Sequence, residues 1–325
     1  MPLTSVEKDL DALTLTVVAD FPVPVRRLWD AYADSRQLER FWGPPGYPAT
    51  FTRHDLVPGG RSTYYMTAPD GERSHGYWEF LAVDPGRSFE VRDGFAGADG
   101  EPSPDLPSMR MVNVFEETAA GSRVTTTTYF PSTDALEQLL AMGMEEGMVA
   151  ALSQVDDVLA DLASFTADRT AEAQLLGDTQ VRVSRVVRGP VEVVWEAHHD
   201  PALLRRWMLG PEGWTMPVCE VAQAVGDSYR YEWEKAGGGE RFGFTGELLE
   251  SGPPRREVTT EGMIGTDGPA AVNEMTLTPV AGGTLLTVVV TYPDAATREA
   301  VLGTGMVDGM ETSYARLESE VLARV

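Results

Sequence analysis

Two stretches of this chain match each other, and that match constrains the fold more than any other feature. Val25–Tyr47 reads VRRLWDAYADSRQLERFWGPPGY, and Val191–Trp214 reads VEVVWEAHHDPALLRRWMLGPEGW. Trp29 answers Trp195, Asp34 answers Asp200 and Leu38 answers Leu204; after a one-residue slip, Gly43-Pro44 answers Gly210-Pro211 and Tyr47 answers Trp214. Agreement at fixed spacing marks a duplicated domain. A chain of 325 residues has room for two domains of ordinary size. The expected layout is a first domain over 1–164, a polar, partly helical linker over 165–177, and a second domain over 178–325.

Each half carries the same succession of patterns. Leu13–Phe21 alternates and is rich in Thr and Val, as a strand does, and Pro22 and Pro24 end it. Pro24 opens a short helix, because its missing N–H would be unpaired there anyway. Asp34 or Ser35 caps a second short helix, and GPPGYP is a turn. Strands follow at Thr50–Leu56, Arg61–Thr67, Gly76–Val83, Ser88–Asp93, Arg110–Glu117 and Ser122–Phe130. One helix of about thirty residues is then expected, since Leu136, Leu139, Leu140, Met144, Met148, Leu152, Val155, Leu159 and Leu162 recur every three or four positions. The second half repeats the order from Val181 to a closing helix over Asp294–Val325. The fold class expected is α+β: each half a curved antiparallel sheet wrapped around a long C-terminal helix, with two short helices plugging one end. Such a wrap favours an internal cavity.

Charge and cysteine usage narrow the partners. Fifty acidic residues against 26 basic ones give a net charge of −24. Nucleic acid and anionic membrane both require positive charge to displace counterions, so neither is expected as a partner. The single cysteine, Cys219, cannot build an internal disulfide framework; it reads as a small buried hydrophobe rather than a nucleophile. No run approaches the ~18 apolar residues of a membrane span or signal segment, and a cytoplasmic location is expected.

The motifs that carry these patterns resemble a known family. Trp29, Asp34 and Trp42-Gly43-Pro44 are followed by Pro58-Gly59-Gly60 before RSTYYM, then Asp70-Gly71, Gly76 and Pro85-Gly86-Arg87. In the second half stand Trp195, Asp200-Pro201, Trp207, Gly210-Pro211, Val225-Gly226-Asp227 before SYRYEW, Gly243 and Pro253-Pro254-Arg255. Order and motifs resemble the START-like, birch-allergen-like (SRPBCC) helix-grip superfamily, in the branch named after the activator of heat-shock protein 90 ATPase, homologue 1. The resemblance covers nearly the whole chain twice. It implies the helix-grip fold and a role among ligand carriers, cyclases and stress proteins. The halves also differ: Asp227 stands where the first has Gly60, and Met208 where it has Trp42.

Alternate residues of a strand face one way, which groups Ser62, Tyr64 and Met66, and in the second half Tyr229, Tyr231 and Trp233. The resemblance places both sets toward the helix, with core packing as the plainer alternative. Trp42 and Trp78, with Trp214 and Trp233 as rough equivalents, suit a flat apolar ligand, and Met144, Met148, Met306 and Met310 would complete the walls from the helices. Asn113 and Asn273 align as polar residues on otherwise apolar strands, facing a cavity or a bulge. His75 is the candidate general acid or base, with Tyr64 and Arg110 as partners. His198-His199 is expected to be solvated. No spacing resembles a metal site, and neither a metal nor a cofactor is expected. Gly143 and Gly147, answered by Gly305 and Gly309, interrupt each long helix at a cost of ~1 kcal/mol apiece; they mark either a close approach of neighbouring elements or room and a bend for a ligand.

The reading that results is a binding protein for a small apolar or aromatic molecule, a monomer whose halves imitate a dimer. The alternative is a polyketide cyclase or aromatase using the same cavity. A co-chaperone-type interaction protein rests on the branch name alone.

Overall fold

The computed structural model describes residues 3–160, 170–210, 213–266, 268–280 and 282–324. The chain forms two compact units, Met1–Phe165 and Thr166–Val325. The first runs β1 (Leu3–Asp9), β2 (Thr14–Phe21), α1 (Val25–Ala33), α2 (Ser35–Trp42), β3 (Ala49–His54), β4 (Arg61–Thr67), β5 (Arg73–Asp84), β6 (Ser88–Ala96), β7 (Met109–Thr118), β8 (Gly121–Tyr129), α3 (Thr133–Ala141), α4 (Met144–Ser153) and α5 (Val155–Ala160). The second runs β9 (Glu172–Leu175), β10 (Gln180–Val187), α6 (Val191–His199), α7 (Pro201–Trp207), β11 (Trp214–Glu220), β12 (Ser228–Lys235), β13 (Arg241–Gly252), β14 (Arg256–Met263), β15 (Ala271–Val280), β16 (Gly283–Thr291), α8 (Ala295–Leu302) and α9 (Met306–Arg316).

Each sheet has eight antiparallel strands, ordered β1-β2-β8-β7-β6-β5-β4-β3 and β11-β12-β13-β14-β15-β16-β10-β9. The fold is therefore α+β in two tandem copies. β2 and β8 alternate strictly between buried and half-buried positions, the signature of a sheet with one face on a core. The edge strands β1 and β9 were not foreseen, because their exposed, charged residues carry little apolar alternation. β9 lies in the segment read as a linker, so residues 172–175 are strand rather than helix; residues 165–169 and Leu162 lie outside the described residues.

Caps start the helices where the sequence placed them. The Asp34 carboxylate accepts from the Arg36 backbone N–H at 2.9 Å, Asp200 from Ala202 at 2.7 Å, and Asp294 from Thr297 at 2.7 Å. α1 and α2 pack against α5, and α2 also against α4; in the second unit α7 packs against α9. The expected single long helix is absent from both units. A non-helical joint at Met142-Gly143 separates α3 from α4, with Gly143 at φ +85°, and Gly303–Gly305 separates α8 from α9, with Gly305 at φ +81°. A left-handed residue cannot continue a right-handed helix. α9 then widens into a π turn at Leu317–Val321.

The first core is one continuous cluster of aromatic and aliphatic side chains, with Trp78, Phe51, Phe80 and Phe89 at its centre. The second core is divided. One cluster gathers α6, α7 and the β12–β15 wall; a smaller one gathers Val181, Val183, Val290 and Tyr292 under α8 and the start of α9. Among the described residues no helix is long and apolar enough to cross a membrane.

Candidate functional site

The inner face of the first sheet carries Tyr64, Trp78, Asp93, Met111 and Asn113, set by register. Tyr64 pairs with Gly76, Trp78 with Asp93, and Phe89 with Asn113. Trp42, from the end of α2, stands edge-on to Trp78 with ring centroids 4.6 Å apart and to Tyr64 at 6.3 Å, while Phe51 stacks on Tyr64 at 4.9 Å. Gly76 makes this possible: a Cβ there would lie 2.4 Å from Tyr64 Cζ. Met66, Met144 and Met148 are half-buried against the same core.

Polar groups are set into this wall. The Trp78 indole N–H donates to Asp93 Oδ1 at 3.0 Å. Asp93 is 9 % exposed, and burial pushes its carboxyl pKa up to about 7, against which the Trp78 and Gly94 N–H groups pull. The Trp42 indole N–H is buried and completes no hydrogen bond. Burial first, and then the Asp93 charge, lift the Tyr64 hydroxyl well above its ordinary pKa, with the neighbouring Trp42 N–H opposing them. Asn113 is 1 % exposed; its Oδ1 accepts from Thr126 Oγ1 at 2.7 Å, and its Nδ2 has no partner. Thr128 Oγ1, opposite Met111, is likewise buried and unpartnered.

His75 and Arg110 do not join this site. His75 pairs with Tyr65, one residue out of phase with Tyr64, and its ring faces the Tyr65 ring on the opposite side of the sheet. Burial and the Arg73 charge lower its pKa. Arg110 binds Glu90 at 2.7 Å and lies over the Tyr129 ring at 4.3 Å. The odd–even alternation of β5 and β7 separates both from the inner face. His54 is inner but committed: Nδ1 bonds Ser62 Oγ at 2.8 Å and Nε2 the Tyr32 carbonyl oxygen at 2.9 Å.

The second unit has the same frame with different contents. By register Gly246 occupies the place of Trp78, and Tyr229 the place of Ser62; the Tyr229 ring lies over Gly246, where a Cβ would be 2.8 Å from Tyr229 Cε1. Trp214 and Trp233 are thus not the counterparts of Trp78. Trp233 stacks on Phe242 at 5.0 Å and donates its N–H to the Met208 carbonyl at 2.7 Å, while Trp214 meets Phe242 edge-on. The two asparagines are not counterparts either. Asn273 pairs with Thr259 and Val290, the position of Met111, whereas Asn113 corresponds to Met275. The inner wall holds Tyr231, Phe244, Thr259 and Asn273, all half-buried, with Met306 and Met310 facing the smaller core cluster. Tyr292 donates its hydroxyl to Met306 Sδ at 3.4 Å.

Sequence reasoning missed the acids. Glu261 stands at the place of Asp93, each eight residues past a proline (Pro253, Pro85) and each followed by glycine. That repeated acid-glycine pair on an apolar strand was the available signal. Glu261 is half-buried by accessible surface, yet burial raises its pKa, with the Asn273 amide and Tyr229 hydroxyl opposing. Glu257, two inner positions away, bonds His199 at 2.9 Å; burial lowers the pKa of His199, but Glu257 outweighs it and the net shift is upward. His198 is enclosed, with Nδ1 bonded to the Val194 carbonyl oxygen, and burial lowers its pKa to about 4. Both histidines are half-buried on α6 and hydrogen-bonded within the unit rather than free in solvent. Cys219 is buried, with its thiol pKa raised by burial. Among the described residues no group of three or more His, Cys, Asp or Glu is placed to hold a metal ion.

The comparisons follow the duplication. A crystal structure of a Mycobacterium smegmatis protein is 50% identical over 52% of this chain and 99% of its own, with a TM-score of 0.46. A solution structure of an Arthrobacter aurescens protein is 41% identical over 48% of this chain and 91% of its own, TM-score 0.47. A Rhodobacter sphaeroides crystal structure is 29% identical over 48% and 100%, TM-score 0.45. No curated protein matches. The family model described as "Activator of Hsp90 ATPase homolog 1-like protein" matches residues 22–160 and again 188–321. The chain belongs to that family, with two copies of its domain in tandem.

Proposed function

We propose that this protein binds a small apolar or aromatic molecule between each sheet and its C-terminal helical segments. One observation carries the reading. The aromatic and thioether walls contain polar atoms that are buried and lack partners: Asn113 Nδ2 and Thr128 Oγ1 in the first unit, and Asn273 Oδ1 in the second. Buried polar atoms are nearly always satisfied, so their recurrence on the inner faces calls for a guest. Native mass spectrometry of gently purified protein tests this. A retained apolar compound of defined mass is expected; protein that stays empty at micromolar concentrations of small aromatic compounds would refute a binding role.

A second reading, proton-transfer catalysis of the cyclase type, is favoured by Asp93. A carboxyl titrating near neutrality beside Tyr64 suits general acid–base work. In that reading Asp93 takes the role first given to His75. Turnover of the recovered compound that survives Asp93→Asn would exclude it.

A further inference from the structure

We propose that the second unit selects flat apolar molecules bearing a protonated amine, held between Glu261 and Asn273; this rests on the binding function proposed above. The inference starts from an imbalance of hydrogen-bond acceptors. The Glu261 carboxyl has two neutral neighbours, the Asn273 amide and the Tyr229 hydroxyl. Tyr229 has one hydroxyl proton, and it goes to the Thr260 carbonyl oxygen at 2.8 Å. Asn273 is then the remaining donor to the carboxyl. Giving its N–H groups to Glu261 turns its Oδ1 to a place where it is buried with no partner. A carboxyl and a buried amide oxygen that lacks a donor thus stand at diagonal positions of one sheet face, Glu261 opposite Ala271 and Asn273 opposite Thr259. An ammonium group brings three donors and a charge.

The surroundings agree. The β13–β14 ladder pairs Thr245 with Gly262 and next Leu248 with Thr259, so its pairing lapses at Gly246-Glu247 opposite Thr260-Glu261, where the Thr260 carbonyl oxygen lies 1.8 Å from the place a Gly246 Cβ would take. There Glu247 N–H donates to Thr260 Oγ1 instead. The equivalent ladder in the first unit is closed, with Trp78 paired to Asp93. Tyr231 and Phe244 pair with each other one inner position along from Tyr229 and Gly246, and aromatic rings attract cations. Arg185, a buried cation on β10, is engaged by Glu311 at 2.9 Å and Glu318 at 3.2 Å. The net charge of −24 raises the local concentration of cations around the whole chain.

The test compares 1-naphthylmethylamine with its neutral isostere naphthalen-1-ylmethanol, by calorimetry on the full chain near neutral pH. The expected result is binding of the amine on the order of tenfold tighter than the alcohol, the size of one charge-assisted contact. Glu261→Gln and Asn273→Leu should each bring the two affinities to within about threefold, while Glu240→Gln, at an exposed site, should leave the preference intact. Thermal melts verify that each variant is folded, and two independent variants guard against one that is not. Equal affinities in the unaltered protein, or a preference that survives both inner-face substitutions, would overturn the inference while leaving an apolar binding site standing. Binding of neither compound, with an apolar ligand still recovered by mass spectrometry, would overturn the amine assignment alone.

Discussion

At the scale of single residues, Asp93 links stability to pH. Below the ordinary carboxyl value of 3.8 both folded and unfolded chains hold its proton. As pH rises toward about 7 the unfolded chain ionises first, so stability falls across that window and levels off above it. A shift of this size corresponds to roughly 4 kcal/mol. Asp93→Asn keeps an oxygen for the Trp78 N–H and has no proton to lose. Denaturant titrations should therefore show the variant matching the parent near pH 4 and exceeding it by a few kcal/mol near pH 8. An unchanged pH profile would mean that the carboxyl is solvated. His75 was chosen from the sequence because histidine titrates near neutrality by default. Asp93 reaches the same range only through burial, a property of the assembled sheet that composition does not display.

Among elements, the C-terminal helical segments show what a sequence pattern conveys and what it hides. The apolar stripe placed them correctly against the sheet. The break was concealed because Gly143 and Gly147 look alike in the sequence, yet only Gly143 sits at positive φ. Neither supports a close approach: a Cβ at Gly147 meets nothing within 4 Å, and one at Gly143 meets only Glu146 Oε2 at 4.0 Å. Their alanine variants should therefore move stability in opposite directions. Gly143→Ala forces a left-handed conformation and should cost about 1–2 kcal/mol. Gly147→Ala, inside α4, should gain up to about 1 kcal/mol. Chemical denaturation distinguishes them; two losses would indicate that Gly147 also serves the joint. The succession of strands and the helix caps were legible because alternation and capping are local; the order of strands within each sheet was not read from the sequence. The parity that removed His75 and Arg110 from the site follows the same rule, and needed only a fixed register to apply it.

Over the whole molecule, the two units keep one frame and exchange volume within it. Trp78 over Ser62 in the first becomes Gly246 under Tyr229 in the second. Trp78 is fully buried, so Trp78→Gly should cost about 3–5 kcal/mol. Ser62→Tyr alone should also destabilise, since the tryptophan fills the space. Placed together they should recover part of the loss, with a favourable coupling of about 1–3 kcal/mol in a double-mutant cycle; strict additivity would show that the two positions do not share space. The exchange also makes each interior exclusive. A tryptophan and a tyrosine cannot occupy this place together, so the large side chain of one unit can be transplanted into the other only if its cross-strand partner is made small in the same step.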